Sequence, residues 1–317
     1  MNLLERKLKS AKTVAIMGHI KPDGDCIGSC LGLYNYIKLK HSDIDVNVYL
    51  DSFTPEIFSY LKGFDEIKIN DFEKEKPDLS IILDCSDRNR LTERYVILEN
   101  SKDVLCIDHH KTNDKNIKDT ILEADSSSTC EVLYELLDKE YVDKEVAKCL
   151  YTGIVHDTGI FKYSSTSKRT MEIAGELMSK GIDFTAIQDI GFYNKTYAQN
   201  QVLGRTLLES VLFHDKKCIF SYITKSLMNF YEVNPNDLEG IVEQLRDTQN
   251  VEVAIFFYET ETQHYKVSLR SKNIVDVSII AKFFGGGGHE RAAGCNMFGS
   301  PHDVVNNISN LIYEQMK

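Results

Sequence analysis

The residues able to do chemistry in this 317-residue chain gather in four short runs. The first, Gly18-His19-Ile20-Lys21-Pro22-Asp23-Gly24-Asp25, sets one imidazole and two carboxylates at the spacing H-x-x-x-D-x-D. Pro22 and Gly24 constrain the turn so that the alternate carboxylates can converge. Asp84 follows the apolar run Leu79–Leu83, Asp108-His109-His110 follows residues 104–107, and Asp157 follows His156. Singly, each acid reads as a turn or cap residue and each His as a satisfied polar group. Brought together, Asp23, Asp25, Asp84 and Asp157 would repel by about 4 kcal/mol per pair at roughly 4 Å in an effective dielectric near 20. Such a set persists only if protonated or neutralised, and two divalent cations carry the balancing charge. Oxygen donors with two imidazoles and no thiolate favour Mn²⁺ or Mg²⁺, with Fe or Co²⁺ compatible, over structural zinc. Two cations about 3.5–4 Å apart can share a water, lower its pKa and clamp a phosphoryl group for in-line attack. The pattern points to a two-metal phosphoesterase.

Holding these residues on one rim requires strands that end beside them. Residues 13–17, 45–50, 79–83 and 104–107 read as strands: short, rich in Val and Ile, and closed by polar or turn residues. Helical patterns lie between and after them, clearest at 27–39 and 131–137, the second opened by a capping-box pattern from Ser128 to Glu131. This alternation predicts an α/β fold, a doubly wound parallel sheet covered on both faces, whose carboxyl edge is where ligands bind. Residues 126–129 could also touch a phosphate, but helix capping explains them. Residues 192–208 read as a helix or connector. Beyond it, 217–223, 251–258 and 264–269 read as strands in antiparallel style, with helices after Asn234-Pro235 and Ser300-Pro301. The expected organisation is a catalytic domain over 1–195, a connector over 196–214, and a smaller α+β domain with a mixed sheet over 215–317.

The second domain carries its own signal. In Phe284-Gly285-Gly286-Gly287-Gly288-His289-Glu290-Arg291, four consecutive glycines let backbone amides turn toward an anion, forming a nest. His289 and Arg291 add donors beside it, and Arg270 with Ser271, at the end of a strand, is a further candidate phosphate grip. No G-x-x-x-x-G-K-[ST] occurs and no G-x-G-x-x-G follows the first strand, which disfavours a kinase or a nicotinamide enzyme.

Composition narrows the partners. Acidic residues number 48 against 37 basic ones, a net charge of −11, which argues against gripping long duplex nucleic acid through its phosphates. The eight cysteines form no CxxC pair and sit mostly in apolar runs, so neither structural zinc nor a disulfide framework is expected. No apolar run approaches a membrane span and residues 1–7 show no signal peptide, so the expectation is a cytoplasmic protein with no membrane partner. There are 16 Tyr, 15 Phe and no Trp. A Tyr or Phe can stack a base, and the sequence does not single one out.

Taken in order, His19-x-x-x-Asp23-x-Asp25, Asp84, Asp108-His109-His110 and Asp157 resemble the four motifs of the DHH phosphoesterase superfamily, and the glycine-rich stretch with His289 and Arg291 is similar to the signature of the DHHA1 domain. The resemblance implies one metal on His19, Asp23 and Asp84. It implies a second on Asp25, Asp84, His109 and Asp157, with Asp84 bridging. Asp84 and Asp157 would thereby join His110, which contacts the transferred phosphoryl group, as catalytic residues, while Asp108 orients a neighbour. Gly286, Gly287, Gly288, His289, Arg291, Arg270 and Ser271 would hold substrate. The compact two-domain length is similar to the branch of oligoribonucleases that are also 3′-phosphoadenosine 5′-phosphate (pAp) phosphatases. It implies hydrolysis of short oligonucleotides, linear dinucleotides such as pApA, or pAp in a cleft between the domains. The implied metal is Mn²⁺, and a homodimer is compatible. The alternatives are a nucleotide sensor with a vestigial metal site, a pyrophosphatase, or another phosphoesterase of the superfamily.

Overall fold

The structure, a computed structural model, describes every residue except Asp71 and Asp114. The chain forms two compact units, Met1–Asn194 and Lys195–Lys317. In chain order, the first holds α1 (Leu3–Leu8), β1 (Thr13–Met17), α2 (Gly24–Lys40), β2 (Asp45–Tyr49), β3 (Leu79–Leu83), α3 (Tyr95–Glu99) and β4 (Asp103–Asp108). It continues with β5 (Thr120–Leu122), α4 (Thr129–Leu136), α5 (Lys144–Asp157), α6 (Lys168–Met178) and α7 (Phe184–Gln188). Among the described residues its sheet has the order β2-β1-β3-β4-β5, with every pairing parallel.

Both sheet faces are buried, as the unbroken apolar strands require. Val14, Ile16, Leu79, Ile81 and Leu83 pack toward α2, α4 and α5. Ala15, Met17, Ile82 and Cys106 face the opposite layer with Leu91 and Ile97. The expected doubly wound architecture is therefore observed. The sheet order reverses direction between β1 and β3, which places the ligand-binding crevice of such folds at their carboxyl ends.

The layer behind that crevice is unusually tight where α2 meets α5. A Cβ built on Gly28 would lie 2.5 Å from the Cys149 carbonyl oxygen, and one on Gly153 would lie 2.7 Å from the Asp25 carboxylate. The two helices thus touch backbone to backbone, and the contact sets how deeply Asp25 is held.

The Ser128 cap differs in one respect from the expected box. Its hydroxyl accepts from the Glu131 amide, but the Glu131 carboxylate takes the Ser127 amide and hydroxyl and the Thr170 hydroxyl instead. A buried acid with two hydroxyls in reach gains more there, and it ties α4 to α6.

The second unit comprises α8 (Tyr197–Leu208), β6 (Val211–Phe213), β7 (Cys218–Ile223), α9 (Lys225–Phe230), α10 (Ile241–Arg246), β8 (Val253–Glu261) and β9 (His264–Ser271). Then come α11 (Val277–Phe283), β10 (Gly287–His289), β11 (Ala292–Phe298) and α12 (Pro301–Met316). Its mixed sheet has the order β10-β11-β9-β8-β7-β6, with β7 and β8 parallel and the other pairs antiparallel. Residues 197–208 are no bare linker, since Val202 on α8 is fully buried against Ile219, Ile223, Leu238 and Ile241. Asn234-Pro235 opens only a short 3₁₀ turn, Pro235–Leu238, while Ser300-Pro301 opens α12 with a full capping box.

Gly28→Ala should cost about 1–3 kcal/mol of stability in urea unfolding, because the added methyl meets backbone that cannot yield. Gly175→Ala, on the exposed side of α6 with nothing near it, should instead gain up to about 1 kcal/mol. Equal effects would contradict the close-contact account.

Candidate metal centre

The ends of β1, β3 and β4 and the last turn of α5 deliver the titratable groups. Asp23 caps α2: its Oδ1 accepts from the amides of Asp25 and Cys26, which leaves Oδ2 toward His19 Nε2 at 3.7 Å. Asp84 takes a left-handed backbone, φ 56°, where Asp is tolerated better than most residues, and it is buried. Its two oxygens part company. Oδ2 lies 3.4 Å from His19 Nε2, while Oδ1 lies 3.7 Å from His109 Nε2 and 3.6 Å from His110 Nδ1. His109 Nε2 also stands 3.1 Å from Asp157 and 4.0 Å from Asp25. The structure thus gathers His19, Asp23, Asp25, Asp84, His109, His110 and Asp157 in one cluster.

The surrounding hydrogen bonds orient these groups. His19 Nδ1 sits 2.8 Å from the Ile20 carbonyl and His109 Nδ1 sits 3.3 Å from the Ser126 carbonyl. A ring that donates through Nδ1 keeps a lone pair on Nε2, the tautomer a metal ligand needs. Asp108 Oδ1 accepts from the amides of His109 and His110 and from His110 Nδ1 at 2.8 Å, while its Oδ2 accepts from Asn113. That one carboxylate fixes the turn carrying both imidazoles.

Sequence reasoning missed the contribution of α4. The amides of Thr129 and Cys130 donate to the fully buried Asp25 carboxylate at 2.6 and 2.9 Å, and the Thr129 hydroxyl donates to Asp84 Oδ1 at 3.0 Å. The cap pattern at Ser128 marked a helix start, but nothing in the sequence said what that helix start faces. Arg90, also missed, brings Nη2 to 3.1 Å from His19 Nδ1.

Without cations the cluster is electrostatically unsettled. Burial pushes the Asp25 carboxyl well up, helped by Asp84 and Asp157, and burial also raises Asp84. Burial opposes charge on His109, yet Asp157, Asp25 and Asp84 lift it to about 10. The same opposition on His19 is overcome by Asp23 and Asp84, which raise it, while burial at Asp23 yields to His19, which draws Asp23 down to about 2. Asp157 adds its charge at the carboxyl end of α5, where the helix dipole is itself negative. His109 Nε2 is buried, aimed at three carboxylates and hydrogen-bonded to none. An unsatisfied imidazole nitrogen among crowded acids fits a divalent cation. Two ligand groups, Asp84 with His109 and His110, and Asp25 with His109 and Asp157, have donor atoms all within 4.8 Å of one another.

In the second unit the expected grips are arranged differently. Arg270 and Ser271 are adjacent on β9 and face opposite sides of the sheet, as a period of two demands. Ser271 is buried with its hydroxyl near the Glu290 carbonyl, while Arg270 pairs with Glu243 at 2.8 Å. They do not form one phosphate grip. The glycine run is in part taken up by the fold itself. The Gly285 and Gly286 amides bond to the Lys282 and Ala281 carbonyls at the end of α11, and Gly287 and Gly288 form β10. Close packing explains Gly286, where a Cβ would lie 2.1 Å from the Gly294 carbonyl oxygen. His289 is exposed, and Arg291 binds the Val275 carbonyl and Glu290.

With this geometry in view, similarity to known proteins is informative. Residues 13–154 match the N-terminal domain of the DHH family and residues 215–317 match the DHHA1 domain, together most of the sequence. The chain belongs to the DHH family and carries a DHHA1 domain in its second unit. It is 27% identical over 311 residues to the probable bifunctional oligoribonuclease and PAP phosphatase NrnA of Streptococcus mutans, covering 96% of this chain and 97% of that protein. The bifunctional oligoribonuclease and PAP phosphatase NrnA of Bacillus subtilis is 25% identical, over 93% of this chain and 92% of its own. An exopolyphosphatase-related protein from Bacteroides fragilis superposes with a TM-score of 0.88 at 27% identity, over 98% of this chain and 94% of that one. DHH phosphoesterases depend on divalent metal, and the His–Asp cluster of this chain is able to hold it. Among the described residues, no helix is long and apolar enough to cross a membrane.

Thr129→Val keeps the side chain's shape and removes its hydrogen bond to Asp84, so metal affinity should fall about 10–100-fold in a calorimetric titration. Asp84→Asn tolerates the same backbone, and should erase the melting-temperature gain that saturating Mn²⁺ gives the wild type. A variant at Asp84 that still responds fully would remove Asp84 from the ligand set.

Proposed function

We propose that this chain is a two-metal phosphoesterase that hydrolyses short oligoribonucleotides, linear dinucleotides such as pApA, or pAp to mononucleotides. The observation that carries the reading is Asp84, buried, with one oxygen toward His19 and the other toward His109. A carboxylate so divided suits a bridge between two cations. On this reading His19, Asp23 and Asp84 hold one and Asp25, Asp84, His109 and Asp157 the other, with Mn²⁺ as the metal. When bound, the cations offset the clustered carboxylates and acidify a water for attack at phosphorus.

The chain's own groups do the rest. Asp108 engages His110 through Nδ1 and raises its pKa, which favours the charged ring and leaves Nε2 to meet a phosphoryl oxygen. Beside His109, His110 and Asp157 lies a groove of about 540 Å³ lined by Lys111, Ser126 and Ser164, among others. Its hydroxyls and Lys111, set beside His110 and the carboxylates of Asp125 and Asp157, suit a phosphate or a ribose. In the second unit, His289 and Arg291 are the donors assigned to substrate. The relatives named as bifunctional oligoribonucleases and PAP phosphatases support this substrate class. The net charge of −11 favours short substrates over long polymers. All eight cysteines are free and buried, which suits the reducing cytoplasm.

Parallel hydrolysis assays in Mn²⁺ with pApA, pAp, a long single-stranded RNA and pyrophosphate test the proposal. The expected outcome is AMP release from pApA or pAp, abolished by Asp157→Asn, with rates falling steeply beyond about five nucleotides. Pyrophosphate as the sole good substrate, or equal rates on long RNA, would overturn it.

A further inference from the structure

We infer that the first metal position has a second, softer ligand set, in which the thiol of Cys26 joins His19 and Asp84 to hold a thiophilic divalent ion such as Zn²⁺. The inference rests on the reading of His19 and Asp84 as metal ligands and adds a residue that the reading leaves idle.

Cys26 lies in the first turn of α2, immediately after Asp25, and is fully buried. One donor atom each of His19, Cys26 and Asp84 lies within 4.8 Å of the other two, and all three residues are buried. Gly18 accounts for the position of the thiol. A Cβ at that residue would lie 2.2 Å from Cys26 Sγ, so the sulfur fills the space that a side chain at 18 would occupy, beside the end of β1. Cys30, one turn along, stands farther from the same point at 3.3 Å and belongs to none of the ligand groups found among the described residues. With Nδ1 turned to the Ile20 carbonyl, His19 presents its Nε2 to this group, 3.4 Å from Asp84.

The donors differ in kind from those of the rest of the cluster. Asp23, Asp25, Asp84 and Asp157 are hard oxygen ligands that suit Mn²⁺ or Mg²⁺, whereas a set of sulfur, imidazole and carboxylate matches the ligand preferences of zinc. On binding, a metal–sulfur bond forms and the thiol proton leaves to solvent, so charge and atoms balance. Because Zn²⁺ stands above Mn²⁺ in intrinsic affinity for such donors, it displaces the ion that His19 and Asp84 would otherwise share. Cys26 thereby makes the centre sensitive to zinc, and the ion held this way blocks the productive arrangement.

Cobalt reports thiolate ligation directly. Titrating the metal-stripped full-length protein with Co²⁺ should give a sulfur-to-cobalt charge-transfer band in the near ultraviolet. The band should persist in Cys30→Ala and vanish in both Cys26→Ser and Cys26→Ala. In parallel, the Zn²⁺ concentration that half-inhibits Mn²⁺-supported hydrolysis should rise at least about 10-fold in Cys26→Ser. Absence of the band in the wild-type protein, or its survival in the Cys26 variants, would overturn the inference. The spectra need no substrate, so they test Cys26 even in a protein that hydrolyses none of the nucleotides.

Discussion

A carboxylate taken fully out of water beside two others is the constraint around which the first unit is organised. Burial disfavours the Asp25 anion, and Asp84 and Asp157 disfavour it further. The fold offers partial compensation in the form of two amides from the start of α4. These are dipoles and not countercharges, so they orient Asp25 without neutralising the cluster. The remaining deficit is one that divalent metal would offset, and an apolar replacement of these acids would remove the electrostatic problem together with the ability to hold metal. Strain points the same way: Asp84 holds a left-handed backbone and Asp157 opposes its own helix dipole.

The scaffold explains how such a cluster is tolerated. A parallel sheet with both faces covered ends several strands on one rim, and the loops after β1, β3 and β4 are short enough to put His19, Asp84 and His109 within a few ångströms. The glycine contact between α2 and α5 closes the space behind Asp25. A side chain at Gly153 would press on that carboxylate, so packing of the helices and placement of the ligand are one requirement.

What was legible in the sequence follows from this division. His, Asp and their spacing are side-chain properties, and strand ends are readable from apolar runs, so the gathering of His and Asp and the doubly wound sheet could be inferred from residue types alone. Thr129 and Cys130 act through backbone amides, which every residue but proline possesses, so only the folded position of α4 reveals them. The glycine run is ambiguous for the converse reason. Glycine permits an anion nest, and it equally permits the close approach of β10 to β11 that Gly286 makes. Adjacent residues of a strand face opposite ways, so the separation of Arg270 from Ser271 was implicit in the strand assignment itself.

The second unit carries a consequence for specificity. Its candidate cations are not idle: Arg270 is paired with Glu243 and Arg291 with Glu290. A ligand that recruits either guanidinium must therefore compete with a carboxylate already in place. A phosphate monoester, with more charge and three acceptor oxygens, competes better than the singly charged diester of an internal linkage. On the proposed function, the pairing of Arg270 and Arg291 would thus favour terminal phosphates over polymer interiors through competition at the cation.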